Sequence, residues 1–562
     1  MLRKLVPVAV IGLFAFFWLR PGTPGPVLYR GGPVVTLDQA GTVAEALATE
    51  GGRIVAVGTE ADLSLWAERT SARAVDLEGR ALLPGFIDAH GHFPGEGLYS
   101  LHADLNSPPV GRIEDIEDLV DALASHAAEI DDGEWVIGIS YDDTLLAEGR
   151  HPTREELDRA SSDHPIVAWH ISLHFAVVNS RALEVLDVAE NVPDPPGGRF
   201  GRNPDTGRLN GLLEENATNL VGDILSQPSL PDGLAITREA NRRAVEAGVT
   251  TVQCGYCEPT QMRVLPWASR LGLIDVRLVL WPSERAQDEA LESHRTFADG
   301  DSDWVRYGAV KMLADGSIQG YTGYLSEPYE NSPGKDANYR GYPRMERAEL
   351  FERVRRYHEA GLQIAVHGNG DASIDDILDA FEAAQKAAPR EDARHIVIHA
   401  QTTRPDQLRR MAGLDVRPSF FVLHTYYWGD RHRRIFLGPE RARRISPLAS
   451  ADEAGVRYTI HADSPVVPFE PLRLVWSAVR RQTRSGHVLG EDERIGVVRA
   501  LEATTIDAAR QHFEDHLKGS LEAGKLADMV ILSRSPLDSP ATLDKIRVEE
   551  TIIGGRSVYR RL

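Results

Sequence analysis

The sequence predicts an α/β protein: a parallel barrel, with a doubly wound open sheet as the alternative, and a small β unit built from both chain ends. Three observations predict it. Short apolar runs alternate with helical patterns through the long middle of the chain. Strand-like segments with Gly-Gly turn signals stand at both ends. The length of 562 residues exceeds the usual single core, so one large domain and a smaller one are expected.

The hydrophobic fraction of 42% and charged fraction of 26% are those of a folded globular chain, which excludes wholesale disorder. A net charge of -21 lacks the basic footprint of a general nucleic-acid binder. The two cysteines, Cys254 and Cys257, are too few for a disulfide scaffold. Their Cys-Gly-Tyr-Cys spacing follows a strand-like run rather than opening a helix. That favours structural thiols or an incidental disulfide over redox catalysis.

Taken in order, the chain opens with Arg3 and Lys4, then an apolar run over residues 5–19. That run suits a signal core and is shorter than the ~20 residues of a full span. Phe16-Phe17-Trp18-Leu19-Arg20 stands where small residues would mark cleavage. The expectation is an uncleaved membrane tether with the body exported; a cleaved signal and a soluble exported protein is the alternative. Residues 1–26 form this anchor or signal and its linker.

Residues 27–83 read as the first part of a small β-sandwich, and 501–562 as a helical return and its second part, with Gly554-Gly555 at a hairpin turn. Between them, residues 84–500 read as the barrel, with an insertion over about 101–231. Helical patterns over 113–130, 154–160, 237–247, 347–360 and 372–388 alternate with apolar runs over 135–139, 166–170, 250–253, 276–280, 307–312, 363–366, 395–398 and 457–460.

A barrel gathers its chemistry at the C-terminal ends of its strands. Leu82 to Asp88 leads to His90 and His92, which strand alternation would turn to one side. Tyr307 to Val310 leads to Lys311, then Asp315-Gly316. Ile364 to Val366 leads to His367, Ile396 to Ile398 to His399, and Tyr458 to Ala462 to Asp463. Neutral imidazoles and a carboxylate suit zinc and related divalent ions. Two ions about 4 Å apart would share a hydroxide and polarise a carbonyl oxygen. Asp463 could take the proton and return it to a leaving amine. A lysine ammonium repels cations; lowered in pKa by burial, Lys311 could add carbon dioxide and become a bridging carbamate.

The chain resembles metal-dependent hydrolases of the amidohydrolase superfamily, in the YtcJ-like branch that includes N-substituted formamide deformylases. The resemblance runs from about Val27 to Arg560. It rests on Pro84-Gly-Phe-Ile-Asp-Ala-His-Gly-His92, His174-Phe-Ala-Val-Val-Asn-Ser-Arg-Ala-Leu183, Pro196-Gly-Gly198 and Asn210-Gly-Leu-Leu-Glu214. It continues through Val310-Lys-Met-Leu-Ala-Asp-Gly316, Val366-His-Gly-Asn-Gly-Asp371, His399-Ala-Gln401, Ala462-Asp-Ser-Pro465 and Lys518 to Asp528. It implies a distorted (β/α)8 TIM barrel beside a composite β-sandwich.

It also implies His90 and His92 on one metal, His367 and His399 on another, a carboxylated Lys311 between them, and Asp463 as ligand and proton shuttle. Two departures stand out. Gly368 replaces the alanine common after His367, and His461 stands where a small residue is usual. His174 is expected to donate a hydrogen bond to a tetrahedral oxyanion, or else to be structural. Asp315, Asp371 and Gln401 are expected to orient ligands. Tyr426-Tyr427-Trp428 is read as a pocket wall or as core, and Arg431 to Arg434 with His432 as a solvated face.

The expected activity is hydrolysis of a non-peptide carbon–nitrogen bond in a small amide or formamide, using one or two divalent ions, zinc by preference. Esterase or lactonase chemistry on the same site is the enzymatic alternative. A tethered binding protein without catalysis is the other. Homo-oligomerisation is left open.

Overall fold

The computed structural model describes residues 23–226, 229–292, 302–332 and 336–562. The expected tether lies outside them. Among the described residues no helix is long and apolar enough to cross a membrane.

The chain forms two compact units. The first comprises the described residues up to Ala89, Asn241–Gly308 and Val497–Leu562; the second comprises His90–Ala240 and Ala309–Gly496. In the first unit, a six-stranded sheet takes strands from both chain ends. Met529–Leu532 pairs antiparallel with Ala81–Pro84, which in turn lies parallel to Val34–Val35. A four-stranded sheet orders Arg53–Gly58, Ala46–Glu50, Val27–Arg30 and Arg73–Asp76. Tyr29, Leu47 and Ile54 of this sheet share one apolar cluster with Leu82, Met529, Ile531 and Ile552 of the other.

The first unit also holds a parallel sheet in the order Val305–Tyr307, Arg277–Pro282, Val249–Cys257 and Phe86–Ile87. The run expected as one strand over 307–312 is two strands. Val305–Tyr307 ends before Gly308, and Val310–Leu313 belongs to the second unit. Leu82 to Asp88 is similarly divided: Ala81–Pro84 joins the terminal sheet, and Phe86–Ile87 pairs with Val249–Cys257. Cys254 and Cys257, both inside that last strand, are joined as a disulfide.

In the second unit a five-stranded parallel sheet orders Val310–Leu313, Ile364–Gly368, Ile396–His399, Arg417–Phe420 and Thr459–Ile460. Helices Arg347–Glu359, Asp371–Ala387 and Pro405–Leu414 connect the first four. The strands are almost uniformly buried, as expected where both faces of a parallel sheet are covered. Helix Asp371–Ala387 buries Ile374, Ile377, Leu378, Phe381 and Ala384, a three-and-four spacing that makes one apolar stripe. The insertion folds as a six-stranded mixed sheet from Ala103–Asp104 to Gly198–Arg202, with helix Ile116–Ala127 packed on it.

Candidate metal centre

All seven residues singled out for chemistry lie in the second unit. His90 and His92 follow the strand Phe86–Ile87 rather than occupying it, so strand alternation does not align them. Backbone bonds do. The Asp463 N–H donates to the His90 carbonyl at 3.2 Å, and the His92 N–H donates to the Ser464 carbonyl at 2.6 Å. Those two bonds bring Asp463 Oδ1 within 3.4 Å of His90 Nε2 and 3.3 Å of His92 Nε2. The oxygen is buried and accepts no hydrogen bond.

Lys311 is the second residue of its strand, not the residue after it, and is 1% exposed. Its Nζ lies 3.0 Å from His90 Nε2. On the neighbouring strands, His399 Nε2 stands 3.0 Å from His367 Nδ1. The other nitrogen of each ring is engaged. His399 Nδ1 meets His461 Nε2 at 3.1 Å, and His461 Nδ1 meets Ser419 Oγ at 2.9 Å. His367 Nε2 meets the Asn369 amide at 3.0 Å. The His90 ring centroid is 5.7 Å from that of His399 and 5.2 Å from that of His461.

The electrostatics favour a cation. Burial, then the Lys311 charge, hold His90 well below the ordinary histidine range. His367 and His399 are likewise held low, first by burial, and His461 is pushed down to about 3. Neutral rings keep their lone pairs for a metal. Burial pushes Asp463 upward, but His92, His90 and His461 outweigh it and keep the carboxyl well below its usual range. His399 at φ 69° and Asp463 at φ 57° sit in the left-handed region. Such conformations cost about 1–3 kcal/mol each and gather at functional sites. An ionised, buried, unbonded carboxylate oxygen between two imidazole nitrogens fits a divalent ion, and so does the facing nitrogen pair of His367 and His399.

His174 comes next to this cluster, its ring centroid 5.3 Å from that of His367. Of the three residues expected to orient ligands, Asp315 lies 3.6 Å from His367 Nε2 through Oδ1, and the other two are placed otherwise. Asp371 is bonded to Ser326 and Arg404. Gln401 reaches His432 at 2.9 Å. Asp315 accepts the backbone N–H groups of Asn369, Gly370 and Tyr324, so it shapes the loop beside His367. Burial pushes its carboxyl up to about 7 against those donors. Beside Asp315, the polar partners of the ligand rings are His461, Ser419 and Asn369.

The basic run is solvated only at Arg433 and Arg434, which are exposed. Arg431 and His432 are buried, and Arg431 lies 3.4 Å from Asp142. Of the aromatic triplet only Trp428 is buried, donating to Asp142 at 2.8 Å; Tyr427 bonds Glu470. A second His/Asp group, Asp142, Asp143 and His170, lies in the insertion. Asp142 already accepts from Thr144, Trp428 and Arg431. His170 Nδ1 accepts the Ser172 N–H, which leaves Nε2–H to donate to Asp143 at 3.1 Å. That group satisfies itself without an ion.

Comparison with known proteins finds a family and several relatives along nearly the whole chain. Residues 73–559 match the sequence profile of the amidohydrolase family. The chain is 26% identical over 541 residues to the N-substituted formamide deformylase of Arthrobacter pascens, covering 94% of this chain and 97% of the relative. It is 30% identical over 550 residues to the protein LONG AFTER FAR-RED 3 of Arabidopsis thaliana, covering 96% and 92%. In fold it is similar to an uncharacterized metal-dependent hydrolase of Pyrococcus horikoshii OT3, with a TM-score of 0.73 at 24% identity over 92% of this chain and 99% of that one.

Proposed function

The chain belongs to the amidohydrolase family, and on that premise we propose that it hydrolyses a non-peptide carbon–nitrogen bond of a small amide or formamide. One observation carries the reading: Asp463 Oδ1 lies within 3.4 Å of His90 Nε2 and His92 Nε2, the buried Lys311 Nζ lies 3.0 Å from that same His90 nitrogen, and His399 Nε2 faces His367 Nδ1 at 3.0 Å. In this reading His90, His92 and Asp463 hold one divalent ion and His367 and His399 a second. Zinc is the preferred ion for such a donor set. When bound, the ions polarise the carbonyl and acidify the attacking water.

The chain's own groups supply the rest. Asp463 Oδ1 accepts a proton from the attacking water and returns it to the departing nitrogen, its ionised state secured by His92 and His90. Lys311 is read as carboxylated: its neutral amine would add carbon dioxide and release a proton, which would replace a buried cation beside His90 with an anionic carbamate able to serve as a metal ligand. His461, fixed by Ser419, orients His399. His174 donates through Nε2 to the carbonyl oxygen as negative charge develops there.

The reading includes architecture and location. Residues 84–500 form a distorted (β/α)8 barrel with its insertion, and 27–83 with 501–562 a composite β-sandwich. Residues 5–19 tether an exported body, which fractionation of expressing cells into membrane and soluble pools tests. The likeness to the formamide deformylase favours formamides over esters and lactones. A panel of N-substituted formamides, acylated amines, lactones and dipeptides, assayed with the metal-loaded protein, tests the chemistry. Turnover of lactones alone would reverse the assignment.

A further inference from the structure

We propose that Glu215 is the positioning residue that fixes the His174 ring for catalysis. The inference rests on the reading of His174 as the oxyanion donor. Strand Leu209–Glu215 runs antiparallel to Phe175–Val178, and the Glu215 N–H donates to the His174 carbonyl at 2.8 Å. The side chain then turns back on the same residue: His174 Nδ1 lies 2.8 Å from Glu215 Oε2. Arg344 donates to the same oxygen at 3.1 Å. A carboxylate oxygen only accepts, so Nδ1 carries a proton, and the ring is fixed with Nε2 turned to the reacting group, where it donates to the oxyanion in the doubly protonated ring.

Nothing about this position is convenient for folding. Glu215 has φ 51° and ψ -122°, a combination suited to glycine. It is 0% exposed, so its carboxylate is wholly buried. Burial pushes its carboxyl up, yet the His174 and Arg344 charges outweigh that and hold it below the usual range. Strain and a buried charge at one residue cost stability that the bonds to His174 and Arg344 must offset.

The surroundings show what the side chain serves. A Cβ added to Gly316 would lie 2.2 Å from Glu215 Oε1, so the loop after Lys311 closes directly over the carboxylate. The carbonyl of that same Gly316 accepts from Asn369, which also meets His367. Glu215 therefore ties the insertion's one site histidine to the loop that supports a proposed metal ligand.

The experiment compares full-length, zinc-loaded wild type with Glu215→Gly, Glu215→Gln, His174→Ala and the Glu215→Gly/His174→Ala double variant. Three readouts are taken: Tm, kcat and KM on an N-substituted formamide, and the nitrogen shifts of 15N-labelled histidine, with His174 identified by its loss in His174→Ala. Glu215→Gly is expected to lower Tm, because it leaves Arg344 and His174 without their buried partner, to lose about 10–100-fold in kcat, and to leave KM within about threefold. It should cause no further loss once His174 is gone. The Nδ1 nitrogen of His174 should move from the shift of a protonated nitrogen bonded to a carboxylate toward the average of a ring whose protons exchange freely between its two nitrogens.

Glu215→Gln, whose amide oxygen still accepts from Nδ1, should retain the protonated Nδ1 and lose less than about tenfold. Unchanged His174 nitrogen shifts in Glu215→Gly overturn the proposal, as does a kcat loss that persists undiminished without His174. If wild type turns over no formamide, the substrate reading fails, while the nitrogen shifts still decide the role of Glu215.

Discussion

Oδ1 of Asp463 stands 3.3 Å from Nε2 of His92, buried and without a hydrogen bond, although its carboxylate is held ionised. In water such an oxygen would be fully solvated. Here the protein removes the water and supplies lone pairs in its place, an arrangement suited to a bound cation and to a moving proton. Asp463→Asn keeps the shape and removes the basic oxygen. Its kcat is expected to fall by about 10²–10⁴-fold while Tm changes little. Turnover within twofold of wild type would remove Asp463 from the proton path.

Lys311 tests the bridging assignment. Lys311→Met preserves bulk in the strand Val310–Leu313 but cannot form a carbamate. Plasma emission analysis of the purified variant should find at least one metal equivalent fewer than in wild type. Equal metal content would show that the ions do not depend on Lys311.

The loop after Lys311 is expected to tolerate no added methyl. A Cβ on Gly316 would meet Thr322 Oγ1 at 2.1 Å as well as Glu215 Oε1. Gly316→Ala should cost about 1–3 kcal/mol in denaturant unfolding and reduce kcat beyond what that destabilisation explains. A variant with wild-type stability would mean that Thr322 and Glu215 move aside freely.

In the first unit, Arg277 grips Asp528 through Nε at 2.6 Å and a terminal nitrogen at 2.8 Å, both residues buried. Burial raises the carboxyl, but Arg277 outweighs it and the folded value lies below the ordinary one. A depressed folded value gives stability that is present above the unfolded value and lost as pH falls through the folded one. Asp528→Asn should therefore cost about 3–5 kcal/mol at neutral pH. The gap to wild type should hold from pH 8 to 5 and shrink below about pH 4. A gap that widens on acidification would contradict the pairing.

How much of this was legible in the sequence differs by residue. The ligand candidates were, because His399 ends an apolar strand, His367 stands one residue before the end of another, and the remaining groups sit in ordered motifs. The reason for bringing His90 and His92 together was not. Alternation predicts alignment along a strand, whereas backbone bonds to Asp463 and Ser464, more than 370 residues away, provide it.

Orienting residues were the least legible. Asp371 carries charge in a motif and was expected to serve a ligand, yet Arg404 and Ser326 take it. His461 and Ser419 do the orienting from inside apolar runs, where a polar residue reads only as an exception. Glu215 stands one residue beyond the motif ending in Glu214, and no pattern separates two adjacent glutamates. The burial and left-handed backbone that distinguish it exist only in the fold.

The central claim is that the cluster around Lys311 hydrolyses a carbon–nitrogen bond with bound metal. Amine release from an N-substituted formamide, measured on one preparation before chelation, after it, and after zinc is restored, tests this most directly. The account predicts steady release, its loss on chelation, and its recovery with about one to two zinc equivalents per chain. Release that continues at the original rate in metal-free protein would contradict it.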